Sequence, residues 1–239
     1  MNTHTQLGRL LLSALVFMFL ADHVNAQSNA TERAVAELFT SQGCSSCPPA
    51  DAMAGRLRTD PAVLVLSFHV NYWDGPEWSD PFALQASTDR QYAYARMLRE
   101  RSVFTPQLIV NGTQSLVGSQ EGAIQHAIET ASRVSFPVQV NLTRQPDGAF
   151  SLSLRGPPIS AELWEVDYVR HAATHIRGGE NGGRTLETYN NVTRVRRLGA
   201  YSPGTLSLTA LKPPEDGLAV VVQTPGMGQI LGAGAYEIR

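Results

Sequence analysis

Apolar and polar positions along the chain follow two regimes that meet near residue 136. RAVAELFT, residues 33–40, is a short apolar run that predicts a strand. In CPPADAMAGRLR, Ala50, Met53, Ala54 and Leu57 recur at i, i+3, i+4 and i+7, one face of a helix. Pro48 and Pro49 suit a helix's first turn, so this helix starts close to Cys47. AVLVLSFHV, residues 62–70, is continuously apolar, as in a strand buried on both faces. NYWDGPEWSDPF reads as a loop. STDRQYAYARMLRER predicts a helix capped by Ser87 or Thr88, with Tyr94, Met97 and Leu98 on one face. VFTPQLIVNGTQSLVGS predicts two strands joined at Asn111-Gly112, a hairpin signal. QEGAIQHAIETASR closes this half as a helix with Ile124, Ala127, Ile128 and Ala131 inward.

Beyond Phe136 the period changes to two. FPVQVNL and AFSLSLRG alternate around a Pro-Asp-Gly turn, and ELWEVDYV, GTLSLTAL, GLAVVVQT and AGAYEIR continue the theme. Short strands with regular turns predict a small β-sandwich. The stretch 175–201, glycine- and arginine-rich without a clear period, reads as a long loop, a kind of segment often functional. The predicted organisation is therefore a domain at 30–135 and a β-rich domain at 136–239.

The N-terminus narrows the compartment. Residues 1–26 hold a short polar start, the apolar run LLLSALVFMFLA and a small-residue end at Ala26. That pattern predicts a secretory signal peptide, too short to span a bilayer comfortably. No other stretch is apolar enough to cross a membrane, so no span is expected after cleavage, and the destination is periplasmic or secreted. The formal charge of −2 lacks the basic excess of a nucleic-acid-binding surface.

Export changes the meaning of the two cysteines, Cys44 and Cys47. Paired thiols in an oxidising compartment tend to form disulfides. This pair closes only a very short ring, which removes little unfolded-state entropy, so stapling does not account for it. A helix N-terminus carries partial positive charge and unpaired amides, which favour a thiolate over a thiol. Cys44, ahead of the helix, is the candidate attacking sulfur. Cys47, one turn on and more shielded, is the candidate resolving sulfur in mixed-disulfide exchange. Ser45 and Ser46 are placed to donate hydroxyls to the thiolate, which favours an oxidising couple.

Strand, CxxC at a helix start, then Thr105-Pro106 before a hairpin resembles the layout of thioredoxins. Through ELFTSQGCSSCPPAD, SFHVNYWD, TPQLIVNG and RGGENGGRTLETYNNVTRVRRLG, nearly the whole chain resembles a family of secreted bacterial proteins, a domain of unknown function with a thioredoxin-like N-terminal half. The resemblance implies an α/β thioredoxin-like N-terminal domain and an all-β, sandwich-like C-terminal one. It implies a cis Pro106 behind the CxxC, with the Thr105 carbonyl pairing to substrate backbone. It offers Glu37 as a buried carboxylate taking the proton of the resolving cysteine. A solvent-facing Glu37 is the alternative, because strand alternation does not decide the face.

The function expected is thiol–disulfide exchange, without a cofactor, on protein thiols and disulfides of the periplasm. One alternative is a periplasmic Cu(I)-binding or delivery protein using Cys44, Cys47 and His69, since thiolates suit Cu(I). His69 lies at the end of a buried strand, where a structural histidine is the plainer reading. A second alternative is a non-catalytic binding module. Tyr72, Trp73 and Trp78 form either a recognition rim or a cap on the core. Glu180 and Arg184 either brace a glycine loop or belong to a loop folded over the CxxC. His171 and His175 lack a zinc-site pattern and read as structural.

Overall fold

The structure, a computed structural model, describes residues 34–208 and 216–237. The predicted signal peptide lies outside the described residues. In chain order the elements are β1 (Ala34–Thr40), α1 (Pro48–Leu57), β2 (Val63–His69), α2 (Gln85–Leu98), β3 (Gln107–Val110), β4 (Gln114–Val117) and α3 (Glu121–Ser132). Then follow β5 (Gln139–Arg144), β6 (Phe150–Arg155), β7 (Glu162–His175), β8 (Thr185–Ala200), β9 (Gly204–Leu208), β10 (Gly217–Gln223) and β11 (Ile230–Glu237).

The expected pair of architectures, an α/β thioredoxin-like domain and a separate β-sandwich, does not form. Strands from both halves share one mixed sheet of eight, ordered β11-β10-β7-β8-β2-β1-β3-β4. The chain is mostly β, with three helices among the described residues. The seam is β8 on β2, parallel, with Ser67 opposite Asn191. Sequence reading misses this because β8 falls in the supposed loop. β7 and β8 are instead a long antiparallel hairpin, turning at 176–184. Two register shifts and a left-handed Asn190 (φ 47°) break its alternation. Two buried polar side chains of β8 bond to β2: Asn190 Nδ2 donates to Val65 O at 2.8 Å, and Asn191 Oδ1 meets His69.

Three cores follow from the alternation. Ala34, Ala36, Leu38, Val63 and Val65 face α1 and α3, meeting Met53, Ala54, Ile124 and Ile128. Val35, Phe39, Leu66 and Phe68 face the other way, toward Tyr94 of α2 and the strand residues Val166, Val192 and Val221. The third core lies between the far end of the large sheet and a small sheet ordered β5-β6-β9, with Leu152 and Leu154 against Leu163, Val220 and Val222. Helix α2 begins at Gln85, earlier than its predicted cap, because Thr88 Oγ1 is engaged by Asn71 instead.

Glu37 shares the β1 face of Val35 and Phe39, so it points at α2. Arg90 Nε donates to Glu37 Oε1 at 2.9 Å, and Tyr94 donates its hydroxyl to Glu37 Oε2. Arg90 also reaches Gln223 Oε1 of β10 at 2.9 Å and lies over the rings of Phe68, Tyr94 and Trp164. This buried ion pair ties α2, β1 and β10 together. Removing one member leaves the other charged in an apolar core. We expect Arg90→Ala to cost about 3–5 kcal/mol in urea unfolding, and the double variant Arg90→Met/Glu37→Met to recover much of that loss.

Candidate functional site

The segment 41–47 leaves the end of β1, turns through backbone bonds from Cys44 N to Ser41 O and from Cys47 N to Cys44 O, and enters α1. Cys44 and Cys47 form a disulfide, with Cα atoms 5.4 Å apart. Cys47 is the N-cap residue, and prolines fill the first two helical positions. Those prolines have no N–H to offer, and the next two amides, of Ala50 and Asp51, donate to Cys47 O. The unpaired amides expected at the helix start are thus absent or spent. The donor beside the sulfurs is a side chain: Ser46 Oγ lies 3.3 Å from Cys44 Sγ.

An attacking role for Cys44 calls for an accessible sulfur, and the structure buries it. Both cysteines are 0 % exposed, while Ser45 and Ser46 between them are exposed. Two loops pack on the segment that carries them. From one side Trp73 packs on Gly43, its Cβ and carbonyl 3.1 Å from where a Cβ on Gly43 would stand. The Trp73 indole donates to Thr105 Oγ1 at 2.8 Å. The Thr105–Pro106 bond is cis, and Pro106 shares Gly118 as a neighbour with Ala50 in the first turn of α1. From the other side comes the 176–184 turn. Asn181 Nδ2 donates to Gln42 O and to Cys44 O, both at 3.0 Å. Glu180 Oε2 accepts from Ser45 N at 3.0 Å, and these bonds to Ser45 hold its carboxyl below the ordinary range. Glu180 and Arg184 therefore take different partners, since Arg184 donates to Asn181 Oδ1 at 2.7 Å.

Below the pair, on the α1 face of the sheet, lies a buried polar cluster. Thr40 and His69 are register partners on β1 and β2. Thr40 Oγ1 donates to Asp51 Oδ1 at 2.8 Å. His69 Nδ1 meets Asp80 Oδ2 at 2.7 Å, and His69 Nε2 meets Asn191 Oδ1 at 2.9 Å. Both ring nitrogens face oxygen acceptors, the arrangement an imidazolium satisfies. Burial alone would lower the pKa of His69, but the charge of Asp80 outweighs it and holds the ring above its ordinary value. Burial would likewise raise Asp80, and His69 draws it below its ordinary value. Asp80 also accepts from Gln42 N at 2.8 Å, which fixes the segment carrying the cysteines.

Of the residues singled out from sequence, Thr105 meets Trp73, which also packs on Gly43, the neighbour of Cys44, while Pro106 and Ala50 in the first turn of α1 share Gly118 as a neighbour. Glu37 is on the other face of the sheet, committed to Arg90. The carboxylate on the disulfide's side is Asp51, four residues after Cys47 in the same helix and 3 % exposed. Its spacing from Cys47 in a predicted helix was a readable signal. Asp80 and Asn181 had none, because only the fold brings their loops to this place. His69 is near the segment, but both its nitrogens are occupied, and the two sulfurs are bonded to each other. Among the described residues no group of three or more His, Cys, Asp and Glu is arranged to hold a metal ion. Among them also, no helix is long and apolar enough to cross a membrane. Tyr72 and Trp73 form a half-exposed rim, whereas Trp78 packs under the 176–184 turn beside Gly179. His171 and His175 lie on the exposed hairpin surface, against Glu187 and Thr185.

The profile described as "Protein of unknown function (DUF1223)" matches residues 35–223, through every element of this site. The chain belongs to that family. Its fold is similar to the X-ray crystal structure of protein AGR_C_4864 from Agrobacterium tumefaciens, at 27% identity and a TM-score of 0.75, covering 86% of this chain and 94% of that one. It is also similar to HBP35 of Porphyromonas gingivalis, at 15% identity and a TM-score of 0.61, covering 87% of this chain and 76% of that one, a likeness of fold alone. No curated protein matches the chain. In this DUF1223 protein the site therefore has to be read from its own geometry.

Asp51 gives that geometry a pH signature. Burial raises its pKa from 3.8 to about 6, with His69 and Thr40 opposing the rise and Asp80 adding to it. Between those two values the folded protein keeps a proton the unfolded chain has released, so stability falls as pH rises through that window. Asp51→Asn keeps an acceptor for Thr40 and removes the titration. We expect the variant to gain on the parent between pH 4 and pH 6, by up to about 3 kcal/mol, in denaturant melts taken across pH.

Proposed function

We propose that the Cys44–Cys47 pair is a thiol–disulfide exchange centre acting on other proteins. One observation carries this reading: the disulfide spans three residues at the start of α1, where it constrains the unfolded chain very little. A bond of small structural value, flanked by a hydroxyl aimed at one sulfur, fits transferable chemistry better than stapling.

The exchange is written with the pair as oxidant. A partner thiolate attacks Cys44 Sγ, the Cys44–Cys47 bond breaks, and Cys47 leaves with the electron pair. A second partner thiolate then attacks the partner's own sulfur in the mixed disulfide, and Cys44 leaves as a thiolate. The partner gains a disulfide, the pair gains two electrons, and the protons released by the partner thiols pass to the reduced pair or to water. Run backward, the same steps reduce a partner. Ser46 stabilises the Cys44 thiolate by donating its hydroxyl. Asp51, on the Cys47 side of α1 and with a pKa lifted toward neutrality, is the group suited to take the Cys47 proton in the reverse direction.

The test is mixed-disulfide trapping on Cys47→Ala, with insulin reduction and refolding of a scrambled protein as activity readouts. Partners caught by Cys47→Ala, and activity lost in Cys44→Ser, are the expected results; inertness of the parent in both assays with nothing trapped would sink the reading. Ser46→Ala should keep exchange but lower the reduction potential by about 30 mV, the equivalent of one hydrogen bond to the thiolate.

A further inference from the structure

An exchange centre has to be reached, and both sulfurs here are covered. The cover is built in a particular way. Three main-chain groups of the segment carrying the cysteines, the carbonyls of Gln42 and Cys44 and the amide of Ser45, are met by side chains rather than by a neighbouring strand. The two carbonyls receive the carboxamide of Asn181, which is 0 % exposed. The amide donates to a carboxylate oxygen of Glu180. A carboxamide is the side-chain equivalent of a peptide group, and a carboxylate oxygen accepts as a peptide carbonyl does.

We propose that Asn181 and Glu180 hold the place of a partner's backbone, so that the 176–184 turn is a displaceable cover and the pair exchanges with extended protein segments in preference to small thiols. The inference rests on the exchange reading above; what it adds is the class of partner and the means of access. Displacing the turn takes the Asn181 donor from the Gln42 and Cys44 carbonyls, of which Cys44 O keeps its bond from Cys47 N, and takes the acceptor from the Ser45 amide. A partner that brings N–H and C=O groups restores them, as an added strand does at a sheet edge. A small thiol restores none.

The turn is suited to move as a unit. It closes on itself through Ile176 N to Arg184 O, Gly183 N to Ile176 O and Gly182 N to Gly179 O. Its seat on the 71–83 loop is a close backbone approach. A Cβ on Gly178 would stand 2.3 Å from Glu77 O, so only glycine fits there. Gly179 and Gly183 take positive φ, 70° and 80°.

The experiment measures the reduction rate of the oxidised full-length protein by dithiothreitol and by a short single-cysteine peptide. The proteins compared are the parent, Asn181→Ala, Asn181→Asp and Leu152→Ala. Asn181→Ala should speed reduction by dithiothreitol about ten-fold, the weight of the lost hydrogen bonds. Asn181→Asp, which sets a carboxylate against two carbonyls, should speed it further. Leu152→Ala loosens the distant three-stranded layer and controls for general loss of stability; it should leave the rate unchanged. In the parent, the peptide should outrun dithiothreitol once rates are corrected for thiolate content. Unchanged rates in folded Asn181 variants, equal acceleration by Leu152→Ala, or a peptide no faster than dithiothreitol would each overturn the proposal. The exchange reading fails differently: Asn181→Ala would then be readily reduced by dithiothreitol yet inactive toward any protein disulfide.

Discussion

The site depends on one buried contact, the His69 ring held between Asp80 and Asn191. It joins the end of β2 and the 71–83 loop that follows it to β8, which is distant in sequence. Asp80 passes the constraint to Gln42, and so to the turn that carries both cysteines. All of this is out of water, where a donor or acceptor that loses its partner is costly. The parallel pairing of β8 with β2 is short, with Ser67 opposite Asn191, and this polar contact secures it. Without it the two halves of the large sheet would have little to fix their register, and the 176–184 turn would have no defined place to land.

The disulfide environment is therefore a product of both halves of the chain. The first half supplies the sulfurs, the helix start, Trp73 and Thr105. The second supplies Asn181 and Glu180 from the tip of the β7–β8 hairpin. A helix start is often treated as an anion site by default, but here two prolines and two spent amides leave it poor in donors. The polarity that bears on Cys44 comes from the Ser46 hydroxyl. The residue type between the cysteines thus matters through a specific contact, beyond its small size.

Much of the first half was legible from pattern. The apolar runs and the 3.6-residue spacing gave β1, α1, β2, α2, the Asn111-Gly112 hairpin and α3 in their observed order. The second half was legible as β but not as part of the same sheet. The failure has a physical cause: β8 is a sheet-interior strand whose buried positions include Thr188, Asn190 and Asn191. Strand reading expects apolar residues there, and Asn190 and Asn191 fit because Val65 O and His69 are waiting. Nothing in β8 itself announces those partners. The same holds for Asp80 and Asn181, loop residues whose role is created by tertiary contact. Glu37 and Asp51 differ: strand parity places Glu37 with Phe39, toward α2, and helix spacing places Asp51 with Cys47. Deciding between them needed one anchor for which β1 face α1 covers, and Leu38 against α1 and α3 supplies it.

Burial changes what sets the rate of chemistry at such a pair. When a reactive bond is closed off, reaction proceeds through a minor open state, and the observed rate is the intrinsic rate scaled by the population of that state. Intrinsic reactivity is governed by local groups, here Ser46, Asp51 and the end of α1. The open population is governed elsewhere, by the bonds of Asn181 and Glu180 to the 42–45 backbone. The two can vary independently, since Asn181 and Glu180 bond to main-chain groups of the segment. A small thiol meets the full cost of opening, whereas a polypeptide that replaces the displaced bonds lowers it. Discrimination between the two then needs no pocket shaped for a particular side chain. It arises from the hydrogen-bonding needs of the Gln42 carbonyl and the Ser45 amide, which side chains meet, and of the Cys44 carbonyl, which Asn181 shares with the Cys47 amide.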